Sequence, residues 1–167
     1  MELLAQIIGV LASVIAIISY QFKRKWQIMG LCSAANFLSG VNFLLLGNAG
    51  VMMANSFVAS VQCVINSVRA KLGMKDAGVI EKIVVFLIFL AIGILQYKTP
   101  LDLMPLAAAM LFVLSTFQKS EQGIRIVIFF NTAILLVYSV IVGSSVVIGH
   151  IFSIVSIVSS YIREKGK

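Results

Sequence analysis

The sequence predicts an all-α membrane protein with seven transmembrane helices, arranged as two parallel three-helix bundles joined by a linker helix. Composition, the distribution of basic residues and a weak internal repeat lead to this prediction. Of the 167 residues, 60% are hydrophobic and 11% charged, whereas soluble domains carry about 25% charged residues. The apolar segments, each close to the ~20 residues that a membrane-spanning helix needs, are 4–22, 27–46, 50–68, 79–97, 101–118, 124–142 and 145–162.

The basic residues divide unevenly between the two sides of the predicted membrane. With seven spans, successive breaks alternate sides, and all of the 13 Lys and Arg residues except Lys98 fall on one side. Cytoplasmic loops are enriched in Lys and Arg, so we expect the N-terminus outside and the C-terminus in the cytoplasm. This placement explains the formal charge of +7 without a nucleic-acid partner, because the basic residues do not form one amphipathic face.

A shift of about 96 residues aligns the first three spans with the last three. The aligned pairs are Gly9 with Pro105, Ser19 with Ser115 and Asn42 with Tyr138 at a shift of 96, Asn55 with His150 at 95, and Arg69 with Arg163 at 94. Each match is weak, but together they predict a bundle over 1–72, a linker helix over 79–97 and a second bundle over 101–167. Parallel repeats related by an axis along the membrane normal are a recurrent plan of transporters.

The third predicted span carries a polar stripe made of Asn55, Gln62, Asn66 and Arg69. Their spacings of seven, four and three residues keep them within a narrow sector at about 100° per residue. Polar side chains in a membrane helix mark functional sites by default, but they also bond neighbouring helices to one another. The stripe alone leaves both interpretations open. Gln62, Asn66 and Arg69 approach the predicted cytoplasmic end, as a path or gate would, although an Arg there also extends to the interface.

Three short motifs carry a resemblance to known membrane proteins: ISYQFKRK at 18–25, VNFLLLG at 41–47 and ANS at 54–56. With the three-plus-one-plus-three organisation, the chain resembles the SWEET sugar facilitators and the PQ-loop superfamily. It is more closely similar to the YgjV-type bacterial inner-membrane proteins. The Pro-Gln pair of the superfamily is replaced by Tyr20-Gln21 in the first span and by Phe117-Gln118 in the fifth.

The resemblance implies a central solute pocket near the membrane midplane. In the SWEET pattern, an asparagine on the third helix of each bundle lines that pocket. Asn55 matches this asparagine, and His150 takes the equivalent place in the second half. An aromatic residue four positions before the glycine that ends the second helix also lines the pocket, and Phe43 before Gly47 fits that pattern.

Further pocket candidates follow from spacing along the chain. Asn36 and Asn131 occupy nearly equivalent positions on the second and sixth spans, 95 residues apart. Tyr138 follows Asn131 by seven residues and therefore shares its face. His150 is either a hydrogen-bonded structural residue or, if it faces a cavity, a group that couples transport to protons, because histidine titrates near neutral pH.

Two functions are compatible with these features. The first is a transporter, passive or proton-coupled, for a small neutral polar metabolite such as a sugar. The second is a receptor or assembly protein whose inner polar groups bond only one another. An enzyme is not expected, because no paired carboxylates lie within a span. No cofactor or metal is expected, since Cys32 and Cys63 lie inside apolar runs. The expected partners are the lipid bilayer and a small polar solute, and the chain is compatible with a homo-oligomer.

Overall fold

The computed structural model describes residues 2–46, 51–141 and 147–165, and the regular elements in these ranges are all helical. The α-helices are α1 Glu2–Ser19, α2 Lys25–Leu45, α3 Val51–Leu72, α4 Val79–Gln96, α5 Leu103–Thr116, α6 Glu121–Ile141 and α7 Val147–Lys165. The predicted all-helical class with seven helices is therefore confirmed. The breaks predicted at 47–50 and 142–145, including Gly47, lie outside the described residues.

Apolar side chains cover the outside of the helices. By length and composition, α2 and α6 are able to cross a membrane, and shorter apolar helices span Leu3–Ser19, Pro100–Thr116 and Val147–Arg163. On α4, Ile80 is 80% and Leu95 is 84% exposed. Exposed apolar surface on this scale is unusual for a soluble monomer, and lipid is the solvent that suits it.

Local hydrogen bonds explain where several helices begin and end. Gly73, with a φ of 63°, lets the Met74 N–H reach back to the Arg69 carbonyl at 3.0 Å. This Schellman-type end stops α3 four residues beyond its predicted end. At the start of α6, the Gly123 N–H donates to Ser120 Oγ at 3.1 Å, a capping bond that starts the helix at Glu121 rather than at 124.

The entry to α5 is a separate one-turn 3-10 helix, Pro100–Asp102. One carboxylate oxygen of Asp102 accepts from the Lys98 N–H at 2.8 Å and from the Thr99 N–H at 2.6 Å. Thr99 and Asp102 form a capping box, and Pro100 needs no donor at this position. The regular helix therefore begins at Leu103, two residues later than predicted.

The contacts divide the chain into two units, residues 1–77 and 78–167. In the first unit, α2 packs along both α1 and α3. The Asn42 amide nitrogen donates to the Ala5 carbonyl, and a Cβ on Gly9 would lie only 2.7 Å from that nitrogen. On the other side of α2, the Ser33 and Ser60 hydroxyls lie 3.0 Å apart.

In the second unit, α6 packs against α5 and α7, and α4 packs against α5. The Asn131 amide nitrogen donates to the Ala108 carbonyl at 2.6 Å, joining α6 to α5. The contact between α4 and α5 is close, because a Cβ on Gly93 would overlap the Leu106 side chain. The helix predicted as a linker thus packs within the second unit.

Candidate functional site

The polar stripe predicted on the third span lies on α3 and is largely buried. Gln62 and Asn66 are each only 5% exposed, and Asn55 is half-buried. Three of their atoms, Asn55 Oδ1, Gln62 Nε2 and Asn66 Nδ2, are shielded from solvent and have no hydrogen-bond partner among the described residues. A buried polar atom without a partner costs about 1–3 kcal/mol. A stripe with three such atoms is therefore an unusual and costly feature.

Hydrogen bonds join α3 to α2 through Ser60, which faces Ser33, and through Ser67, whose hydroxyl donates to the Trp26 carbonyl at 2.7 Å. The Phe57 ring also packs edge-on against a phenylalanine of α2, with 5.6 Å between the ring centroids. Around the helix axis, the stripe lies roughly 120–160° from Ser60. The amides therefore occupy a different face of α3 from the serines that bind α2.

The apolar face of α3 occupies a third sector. Val61, Val64 and Val68 are exposed, and this sector suits contact with lipid. The helix therefore has an α2 face lined by serines, a lipid face lined by valines, and a buried amide face. Because the amides avoid the lipid face, they follow the expected behaviour of polar groups in a membrane helix.

Arg69 lies near the C-terminal end of the same stripe. Its side chain is half-buried and its carbonyl accepts the bond that ends α3. Asn66 and Arg69 are separated by about one helical turn, so the guanidinium follows directly on the two buried amides. The path or gate predicted from these residues stays a prediction.

In the second unit, α7 carries two buried hydroxyls. Ser156 and Ser160 are buried, and they stand 94 residues after Gln62 and Asn66. Arg163, the counterpart of Arg69 at the same shift, has Nη2 3.5 Å from Ser160 Oγ. His150 is half-buried near the start of α7.

The other predicted pocket residues have different environments. Asn131 is buried and bonded across to Ala108, whereas Asn36 donates to the Cys32 carbonyl of its own helix at 2.8 Å. Phe43 and Tyr138 are both half-buried. The two asparagines occupy nearly equivalent positions in the sequence but have different partners. Asn131 bonds a neighbouring helix, and Asn36 bonds its own helix.

Sequence reasoning missed two polar features of the second unit. Arg125, at the start of the predicted sixth span, lies inside α6 and is fully buried. An arginine next to a short polar break is usually exposed, and nothing in the neighbouring residues indicated that this side chain is buried. Ser156 and Ser160 were also overlooked. Extending the 94-residue shift from Arg69 back along the third span would have found them.

These features define an all-helical membrane protein with a buried polar face on its third helix. The chain belongs to the Imp-YgjV family, described as a bacterial inner membrane protein, whose model matches residues 3–166. The predicted resemblance to YgjV-type proteins and the expected inner-membrane location are thereby confirmed. No curated protein and no solved structure matches the chain.

Proposed function

We propose that this protein transports a small neutral polar metabolite, such as a sugar, across the bacterial inner membrane. The observation that carries the proposal is the α3 stripe, in which Asn55, Gln62 and Asn66 each bury an amide atom without a partner. Such atoms lower stability. A solute, or the water that accompanies it, would supply the missing hydrogen bonds.

The type of side chain favours an uncharged solute. Carboxamides both donate and accept hydrogen bonds, so they replace the water around hydroxyl groups. Aromatic rings cover the apolar face of such a solute, and Phe43 of the first unit takes that role in the proposal. Asn55 is the principal pocket residue, and Gln62, Asn66 and Arg69 continue the path towards one end of α3.

Repeated burial supports the proposed plan of two three-helix repeats. Ser19 and Ser115, 96 residues apart, are both fully buried, and each donates to the carbonyl three residues earlier at 2.6 Å. Ile28 and Ile124, also 96 apart, are both fully buried. The proposal includes two three-helix repeats with the N-terminus outside. The SWEET resemblance implies the same arrangement.

The first experiment is a search for the solute. The purified protein in nanodiscs is screened by thermal shift against sugars, nucleosides, vitamins and amino acids, and each binder is tested for uptake into proteoliposomes. We expect uptake that Asn55→Ala abolishes and that Val61→Ala, on the exposed face of α3, leaves intact. Binding without uptake would favour the alternative function of a receptor.

Proton coupling is tested separately through His150. If this histidine couples transport to protons, His150→Gln removes the pH dependence of uptake while leaving uptake itself measurable. An unchanged pH profile in this variant would exclude His150 as the coupling group and would favour passive facilitation.

A further inference from the structure

The ends of α2 and α3 meet in the first unit and bring together basic side chains that are distant in sequence. Lys71 Nζ lies 5.5 Å from the centroid of the Trp26 ring, within the range of a cation–π contact. The hydrogen bond from Ser67 to the Trp26 carbonyl holds the C-terminal part of α3 beside the start of α2. Lys25 pairs with Asp76 at 3.4 Å, which brings the segment after α3 back to the start of α2.

This end of the unit is strongly basic and accessible. Arg24, Lys71 and Lys75 are exposed. The acidic residues within positions 1–77 are Glu2 and Asp76, and Glu2 belongs to the opposite end of α1 because α1 and α2 are antiparallel. Asp76 already pairs with Lys25. Within residues 1–77, the basic residues at this end therefore outnumber the acidic ones.

Exposed apolar side chains border the same basic surface. Leu72 is 66% exposed and follows Lys71 directly, and Met74 is 57% exposed and directly precedes Lys75. Trp26 presents an amphipathic ring of the kind that settles at membrane interfaces. A partner for this surface needs negative charge and an apolar portion side by side.

We propose that this basic end, formed by Arg24, Trp26, Lys71 and Lys75, binds the phosphate headgroup of an anionic phospholipid. The cations contact the headgroup, and the acyl chain lies against Leu72 and Met74. A phospholipid combines the two chemistries that the surface offers, whereas a nucleic acid or a free phosphate has no acyl chain to lie against Leu72 and Met74. The inference is independent of transport, since none of these residues belongs to the amide stripe.

Native mass spectrometry of the full-length protein tests the inference, with phosphatidylglycerol and chain-matched phosphatidylethanolamine as probes. Each basic residue near an anionic surface contributes about 1 kcal/mol, so Arg24→Gln and Lys71→Gln should each weaken phosphatidylglycerol binding about fivefold. Lys98→Gln, which removes an exposed cation from the second unit, should leave binding unchanged. Melting temperatures of all variants identify any that fail to fold.

Three outcomes would overturn the inference. Phosphatidylethanolamine binding as tightly as phosphatidylglycerol would show that charge does not select the lipid. Equal affinity in the parent, Arg24→Gln and Lys71→Gln proteins would place the lipid elsewhere. Displacement of the lipid by soluble glycerophosphoglycerol at equal concentration would show that the surface is a site for free phosphate esters.

Discussion

Ser33 and Ser60 meet at the interface of α2 and α3, where each hydroxyl lies 3.0 Å from the carbonyl oxygen of the other residue. Both side chains are buried. Each hydroxyl thus has a backbone acceptor on the neighbouring helix, as in many membrane helix pairs. These two bonds lie on a different face of α3 from the amides.

Removing either serine should therefore weaken the first unit. Hydrogen bonds between membrane helices contribute on average about 0.6 kcal/mol and at most about 1.7 kcal/mol, so Ser33→Ala and Ser60→Ala should each lower the free energy of unfolding by an amount in this range. Because the two hydroxyls are also in direct contact, 3.0 Å apart, their contributions are coupled, and the double variant should lose less than the sum. Reversible denaturation in mixed micelles measures the effect.

Ser13→Ala is the matched control for this pair, because the Ser13 hydroxyl bonds only the Gly9 carbonyl of its own helix at 3.0 Å. It should change stability by less than either interfacial variant. Strictly additive losses from Ser33→Ala and Ser60→Ala would argue against the direct contact.

Asn36 of α2 and Asn131 of α6 should differ in the same way in their contribution to the free energy of unfolding. Asn131→Ala removes the bond that joins α6 to the Ala108 carbonyl, and we expect a loss of about 0.6–1.7 kcal/mol in the free energy of unfolding. Asn36→Ala breaks only a bond to Cys32 within α2 and should cost less. Equal losses in chemical denaturation of the two variants would contradict this distinction.

Much of this fold was predictable from sequence because apolar length and break chemistry are local properties. Gly73 and Ser120 moved two helix boundaries away from the ends of the apolar runs. Gly73 adopts a positive φ and ends α3 four residues later, and Ser120 caps α6 and starts it three residues earlier. Asn131 was predicted as a pocket residue, yet spacing could not show that a carbonyl of the neighbouring helix lies within reach. The hydrogen-bond partner of a side chain depends on how the helices pack, and local sequence patterns do not determine that packing.

Asp102 should make stability depend on pH at the acidic end of the range. The Lys98 N–H, followed by the Thr99 N–H, hydrogen-bonds the carboxylate and lowers the pKa of Asp102 from its usual 3.8. A lowered pKa stabilises the folded state above pH 3.8, and this contribution is lost as the pH falls through the folded-state value. Asp102→Asn should lower the melting temperature at pH 7, with a difference from the parent that shrinks in acid.

Thermal melts of both proteins between pH 7 and acid measure this effect. Lys98→Gln serves as the control, because it keeps the backbone donor and changes only the nearby charge. A difference between Asp102→Asn and the parent that stays constant at every pH would show that the carboxylate does not stabilise the turn.

Two asparagine-to-leucine substitutions should change stability in opposite directions. Asn66 buries an unpartnered amide nitrogen, so Asn66→Leu should raise the free energy of unfolding, by up to about 1–3 kcal/mol, while abolishing transport. Asn42 donates to the Ala5 carbonyl, and Asn42→Leu should destabilise the protein. Denaturation and uptake are measured on the same preparations. A destabilised Asn66→Leu protein would mean that this amide has a structural partner.

Cysteine accessibility along α3 shows whether the amide face of this helix lines a solute path. Gln62→Cys and Asn66→Cys are compared with Val61→Cys and Val64→Cys on the lipid face, and the buried Cys32 and Cys63 of the parent give the background rate. A hydrophilic, membrane-impermeant thiosulfonate is added to each side in turn. We predict that positions 62 and 66 react well above background and that positions 61 and 64 do not. Reaction at the background rate at all four positions would show that the amide face of α3 does not line a solute path.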